Sequence, residues 1–170
     1  GGRGATPIEE VIFAEEESRY HVPVGAFSGI GINLAVPTIR AHGTPQQIEQ
    51  FAHPTLMGDI QWCQLFSEPG AGSDLAAVRT RAIREHDDWL VNGQKVWTSW
   101  AHTADWGILL ARSDPEQVKH QGLSFFLVDM RSAGIEVRPI RSISGESEFN
   151  EVFLTDVRIP DSQRLGAVGE

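Results

Sequence analysis

The chain has 170 residues, 41% of them hydrophobic and 22% charged, with five Trp and eight Phe, a balance that suits one large folded core or two small ones. A net charge of −9 argues against nucleic acid as a partner, because phosphate-binding surfaces are normally basic. No stretch approaches the roughly 18 consecutive apolar residues of a membrane span, and the N-terminus lacks a signal-peptide pattern, so a cytoplasmic location is the expectation.

Thr6-Pro7-Ile8-Glu9 reads as a helix start: a Thr cap, a Pro in the first helical position and a Glu able to complete a capping box. A helix is predicted to run to about Tyr20, with Glu15-Glu16-Glu17 on its solvated face. The segment 21–42 is apolar and glycine-rich and is predicted to be a tightly packed helix. There Ile30, Leu34 and Ile39 share one face, and Gly25, Gly29 and Gly31 allow close approach of a neighbour. The capping grammar recurs at Thr44-Pro45-Gln46-Gln47, opening a helix with Ile48, Phe51 and Leu56 on one face before Gly58 closes it.

From Gln61 onward the hydrophobic period shortens to two, and β-branched and aromatic residues arrive in short runs. Strands are predicted at 62–67, 78–85, 89–91, 94–98, 106–112, 123–129, 135–140 and 151–158. Asn92-Gly93 reads as a hairpin turn, and 112–121 as a surface loop containing Asp114-Pro115. Consecutive strands without intervening helices imply a barrel or a sandwich. The fold class is therefore α+β, with a helical part over residues 1–60 and a β-domain over 61–170.

Two segments carry the chemistry. Gln64-Leu65-Phe66-Ser67-Glu68-Pro69-Gly70-Ala71-Gly72-Ser73-Asp74 leaves a strand for a loop of small residues, which is either a tight structural turn or a cradle of backbone amides for a ligand. It is neither a dinucleotide fingerprint nor a phosphate loop, and Ser73 lacks the flanking glycines of a nucleophile elbow. Asn92-Gly93-Gln94-Lys95-Val96-Trp97-Thr98-Ser99-Trp100 offers an aromatic face beside two hydroxyls. Such a run suits a planar heteroaromatic group, although a core Trp at a strand end explains Trp97 as well. The lone Cys63 excludes an internal disulfide and reads as a small core residue, and the six His show no metal-ligand spacing. Arg138 and Arg141 could face a ligand phosphate, but exposed strand-end charges are the commoner reading.

Taken together, these two segments resemble the paired flavin-contacting motifs of the acyl-CoA dehydrogenases. The likeness extends through Ile60–Trp62, Leu123–Asp129 with Gly134-Ile135, and Glu148-Phe149-Asn150-Glu151-Val152-Phe153 before Asp156-Val157-Arg158-Ile159-Pro160, covering about residues 6–166. It implies a partial N-terminal helical bundle followed by the family's middle β-barrel. FAD is the implied cofactor, lined by Gln64, Leu65, Phe66, Ser67, Gly72, Ser73, Trp97, Thr98 and Ser99, with Ser73 also meeting an acyl-CoA thioester. Gln64 departs from the aromatic residue many relatives have there. The tail around Glu148 resembles members common in actinobacteria, some acting on steroid or branched acyl chains.

In this family flavin N5 takes a hydride from the substrate β-carbon while a Glu removes the α-proton. That Glu usually lies in a C-terminal helical domain, so the resemblance implies no catalytic residue in this chain, with Glu68 a structural carboxylate. The expected partners are an acyl-CoA thioester, an electron-transfer acceptor and further subunits in a homo- or hetero-oligomer. A flavin monooxygenase, an acyl-CoA oxidase or a non-catalytic β-barrel binding module would carry the same scaffold. The chain reads as a fragment, inactive in isolation.

Overall fold

The computed structural model describes residues 4–20 and 28–169. Helix α1 (Pro7–Glu17) has the predicted capping box, Thr6 accepting from the Glu9 backbone while the Glu9 carboxylate accepts from Thr6. It stops at Glu17, before the expected Tyr20, and none of its residues is buried. The early part of the predicted 21–42 helix, including Pro23 and Gly25, lies outside the described residues. Its later part forms α2 (Ser28–Ile30), a π turn (Gly31–Ala35) and α3 (Val36–His42) in unbroken succession. Helix α4 (Pro45–Met57) opens on a second capping box, Thr44 with Gln47, and closes on Gly58 in the left-handed conformation. Its inward face carries Gln47, Phe51 and Thr55. Leu56, expected on that face, is 56% exposed, because it follows Thr55 by one residue and turns away.

The strands are β1 (Trp62–Leu65), β2 (Arg81–Glu85), β3 (Asp88–Ser99), β4 (Trp106–Arg112), β5 (Leu123–Asp129), β6 (Ile135–Ile140), β7 (Phe149–Pro160) and β8 (Arg164–Leu165). They form one sheet in the order β6-β7-β3-β2-β4-β5-β8, with β1 parallel to β4 from Trp62↔Trp106 to Leu65↔Leu109. The expected barrel is not closed: β6 and β8 remain at opposite ends of the path. Strand β2 touches β4 through only Arg81↔Arg112, while β1 pairs with β4 from Trp106 to Leu109. The sheet folds over at this thin junction into two stacked layers.

Between the layers lies a core of Cys63 and Leu65 from β1, Ala82 from β2, Trp89 and Val91 from β3, Leu109 and Ala111 from β4, Phe126 and Val128 from β5, and Val152, Leu154 and Val157 from β7. Trp89 and Phe126 meet edge to face across it, 5.3 Å apart. The intervening residues of the middle strands, Trp62, Ile108 and Leu127, point the other way and bury Ala35, Ile39 and Phe51 of the helices. Strands covered on both faces read as nearly continuous apolar runs, which is the pattern of Gly107 to Ala111. The Trp62 indole donates to the Thr55 hydroxyl at 2.8 Å and stands edge-on to Phe51. Gly31 is the residue that permits this approach, since a Cβ there would lie 2.8 Å from Thr55 Cγ2 and 3.1 Å from Trp62 Cδ1. Truncating such a buried Trp or Phe to Ala costs about 3–5 kcal/mol, so α3 and α4, unlike the exposed α1, are firmly seated on β1 and β4.

The predicted hairpin at Asn92-Gly93 is not formed. These residues lie inside the continuous strand β3, and the turn between β2 and β3 is His86-Asp87, with His86 at φ 58. Tertiary contacts employ Asn92 and Gly93 differently. The Asn92 amide donates to the Asp156 carboxylate and its oxygen accepts from the Asp156 backbone, both at 2.9 Å. Gly93 lies against Thr80, whose Cα would be 2.7 Å from an added Cβ, and the register with β7 slips there by a bulge. Cys63 is buried, and burial pushes its thiol up to about 12, which makes it inert.

Candidate functional site

Strand β1 ends at Leu65, and the chain continues as Phe66-Ser67 alongside the end of β3. There the Val96 backbone N–H donates to the Ser67 carbonyl at 2.9 Å. That bond sets the two chemically suggestive segments side by side. Gln64, Phe66 and Ser67 from the first, Val96, Trp97 and Ser99 from the second, and Ile30 from α2 line one cleft of about 100 Å³.

A bulge aims the aromatic residue. Lys95 pairs with Val152 and Thr98 with Asn150, so β3 holds one more residue than β7 in this interval. The extra residue lets Trp97 adopt φ 60 and stand 60% exposed, its ring edge-on to Phe149 at 6.0 Å. A left-handed conformation in a bulky residue costs about 1–3 kcal/mol and persists only where neighbours impose it. Here those neighbours include Asn150, buried, which donates to the Thr98 carbonyl at 2.9 Å and the Glu148 carbonyl at 3.2 Å.

Of the nine residues expected from sequence, Gln64, Phe66, Ser67, Trp97 and Ser99 line the cleft. Leu65 and Thr98 do not, because each is an intervening residue of its strand with its side chain buried. Of the two adjacent hydroxyls, Ser99 faces the cleft, while Thr98 Oγ1 is enclosed without a hydrogen-bond partner. Gly72 and Ser73 are exposed on the outer part of the cradle loop and are not among the lining residues. Sequence reasoning missed Val96 and Ile30. It also missed Lys95, whose signal was its place in the inward period Trp89, Val91, Gly93, Lys95 of β3.

The cradle loop is held from inside by a carboxylate. Glu68 exchanges two backbone bonds with Ala71, at 2.9 and 3.0 Å, which make the tight turn through Pro69 and Gly70. Its side chain accepts from the Arg79 N–H at 2.6 Å, the Thr80 N–H at 2.9 Å and the Lys95 ammonium at 2.9 Å. Burial alone would raise this carboxyl, but the bonds from Thr80, Lys95 and Arg79 outweigh it and hold Glu68 below the ordinary carboxylate value. The far side of the loop is tied by Arg112, which donates to the Ala76 carbonyl at 2.6 Å and the Val78 carbonyl at 3.2 Å.

The lining pairs an open indole with two hydroxyls, a primary amide and the Phe66 ring, and it contains no titratable side chain. This donor set fits the edge of a planar heteroaromatic group such as a flavin ring. At about 100 Å³ the cleft is well below the roughly 300–1,000 Å³ of a complete ligand site, so it supplies one wall and one edge. Glu68 accepts from three donors behind that wall, and its side chain is not among those lining the cleft.

The family model for the acyl-CoA dehydrogenase middle domain matches residues 63–157, which include both walls of the cleft, and the model for the N-terminal domain of the same family matches residues 1–59. The chain belongs to the acyl-CoA dehydrogenase family. It is 52% identical to the acyl-CoA dehydrogenase FadE34 of Mycobacterium tuberculosis, over 99% of this chain and 24% of that protein. It is 33% identical to the human mitochondrial short-chain specific acyl-CoA dehydrogenase, over 99% of this chain and 41% of that one. Among solved structures, the Tcur3481-Tcur3483 steroid ACAD superposes with a TM-score of 0.88 at 34% identity, over 99% of this chain and 43% of that chain. The ChsE4-ChsE5 complex of Mycobacterium tuberculosis gives 0.88 at 37% identity, again over 99% and 43%. The chain thus spans from about a quarter to under half the length of these relatives. No described helix is long and apolar enough to cross a membrane, and no cluster able to hold a metal ion occurs among the described residues.

Proposed function

We propose that this chain is the FAD- and acyl-CoA-binding part of an enzyme that dehydrogenates acyl-CoA thioesters between the α and β carbons. The observation that carries the reading is the convergence of Gln64, Phe66, Ser67, Trp97 and Ser99 on one cleft from two separate segments. When bound, FAD supplies the two-electron acceptor for that oxidation.

The chain's own residues do the holding. Trp97 presents an apolar face, Ser67 and Ser99 offer hydroxyls that donate or accept at a ring edge, and Gln64 adds an amide in the place where many relatives carry an aromatic residue. The exposed Ser73 and the open Gly70 and Gly72 lie on the outer face of the cradle loop, where backbone can approach a thioester or pantetheine chain closely. The α-proton must be removed by a group from outside the cleft lining, since that lining has no carboxylate and Glu68 is held behind it by three donors. The likeness to a steroid ACAD and to a short-chain enzyme names the thioesters to assay first: steroid-derived and short straight-chain acyl-CoA.

The test is a titration of the purified chain with FAD, followed by flavin fluorescence, and then turnover of those thioesters with an artificial electron acceptor. Saturable FAD binding with turnover at background is the expected result. Loss of general-base assistance alone removes a factor of about 100 to 10,000 in rate. Absence of any FAD binding would point instead to a non-catalytic module, and robust turnover abolished by Glu68→Gln at saturating FAD would make Glu68 the base.

A further inference from the structure

The FAD-binding reading leaves one buried group unexplained. Lys95 lies in the middle of β3 with 0% of its surface exposed, at a position where the strand's period calls for an apolar residue. Burying an ammonium is costly unless every proton is bonded. All three are: Lys95 Nζ donates to the Leu110 carbonyl at 2.8 Å, to Glu68 Oε1 at 2.9 Å and to the Phe66 carbonyl at 3.0 Å. Two of those acceptors belong to the segment that leaves β1, and the lysine is followed directly by Val96 and Trp97 of the opposite wall.

We propose that the buried Glu68–Lys95 pair is the positioning device of the cleft, a latch that holds the Phe66–Ser67 wall in register with the Val96–Ser99 wall. The inference rests on the cleft being the cofactor site. The latch acts at three points. Lys95 grips the Phe66 carbonyl, one peptide from Ser67, whose own carbonyl accepts from Val96. Glu68 reaches across its loop to the Arg79 and Thr80 amides and so fixes the cradle's return. Lys95 also grips Leu110 of β4, anchoring both walls to the middle layer. Neither side chain lines the cleft, so both are positioning residues that act through Phe66, Ser67 and Trp97.

Glu68→Gln is the first variant, since it keeps one acceptor while removing the charge. Lys95→Gln, which keeps amide donors for the carbonyls, is the parallel one. Val157→Ala, in the core between the sheet layers, supplies a loss of stability from a residue outside the latch. Hydrogen exchange of the FAD-free chain and FAD affinity are read on all three. The latch variants are expected to speed exchange in both 66–80 and 94–99 while 45–57 stays protected. They should weaken FAD binding by about 10- to 100-fold, the usual effect of loosening groups that support a site, whereas Val157→Ala should leave affinity unchanged. Faster exchange confined to 66–80 with unaltered affinity would overturn the proposal, as would an equal loss of affinity in Val157→Ala. If the unmodified chain binds no FAD, the proposed function fails, and the coupling of the two walls is then decided by the exchange pattern alone.

Discussion

Replacing Lys95 by Met removes a charge, three donors and no apolar volume, which makes it a clean test of what the buried pair does for the fold. The Glu68 carboxylate stays 8% exposed with two amide donors but without its counter-charge. Breaking a buried pair from one side costs about 3–5 kcal/mol. In a chain of this length 1 kcal/mol moves Tm by about 2–4 °C, so a fall of roughly 6–20 °C is expected by calorimetry or circular dichroism. The double variant Glu68→Leu/Lys95→Met separates two explanations. If the pair were only an ion pair, apolar replacement would be neutral or stabilising by about 1–4 kcal/mol. Here the pair also satisfies four backbone groups: the Arg79 and Thr80 amides and the Phe66 and Leu110 carbonyls. An orphaned buried group costs about 1–3 kcal/mol, so even with half of them recovered by water about 2–6 kcal/mol remains lost. Set against that gain, the net lies between about 2 kcal/mol more and 6 kcal/mol less stable, so a double variant melting more than about 8 °C above the parent's Tm would refute this reasoning.

Trp97→Ala should weaken FAD binding or shift the flavin spectrum while moving Tm by no more than about 2 °C, because the ring is 60% exposed and surface changes stay within about 0.5 kcal/mol; unchanged affinity and spectrum would remove Trp97 from the site. The depressed Glu68 carboxyl contributes stability that is complete above its ordinary value of 4.5 and is lost as pH falls through the lower folded value. Urea midpoints measured from pH 7 down to 3 should therefore fall more steeply in the parent than in Glu68→Gln, and parallel profiles would contradict the assignment. On α1, Ile8, Val11 and Ile12 form an exposed apolar stripe at helical spacing, with Phe13 beside it, 53–72% exposed. Ile8→Lys/Ile12→Lys should reduce concentration-dependent light scattering of the chain; a parent that is strictly monomeric at all concentrations would remove the basis for that expectation.

What the sequence determined by itself is local. The two Thr caps and the Gly58 stop were legible because each is satisfied by groups within four residues. The strands were legible from their period, and five cleft residues from two motifs whose side chains suit a planar ring. Asn92-Gly93 misled because a turn signal states only what a backbone tolerates, and contacts with Thr80 and Asp156 decided that it bends a long strand instead. Likewise, which of Thr98 and Ser99 faces the cleft depends on a bulge set by pairing with β7, more than fifty residues away. The barrel stayed open because β6 and β8, the two ends of the strand path, do not pair with each other, an outcome that no single segment encodes. The pairing of Lys95 with Glu68 belongs to the same class: a lysine in a strand looks solvated until the tertiary structure encloses it and brings a carboxylate and two carbonyls to its three protons.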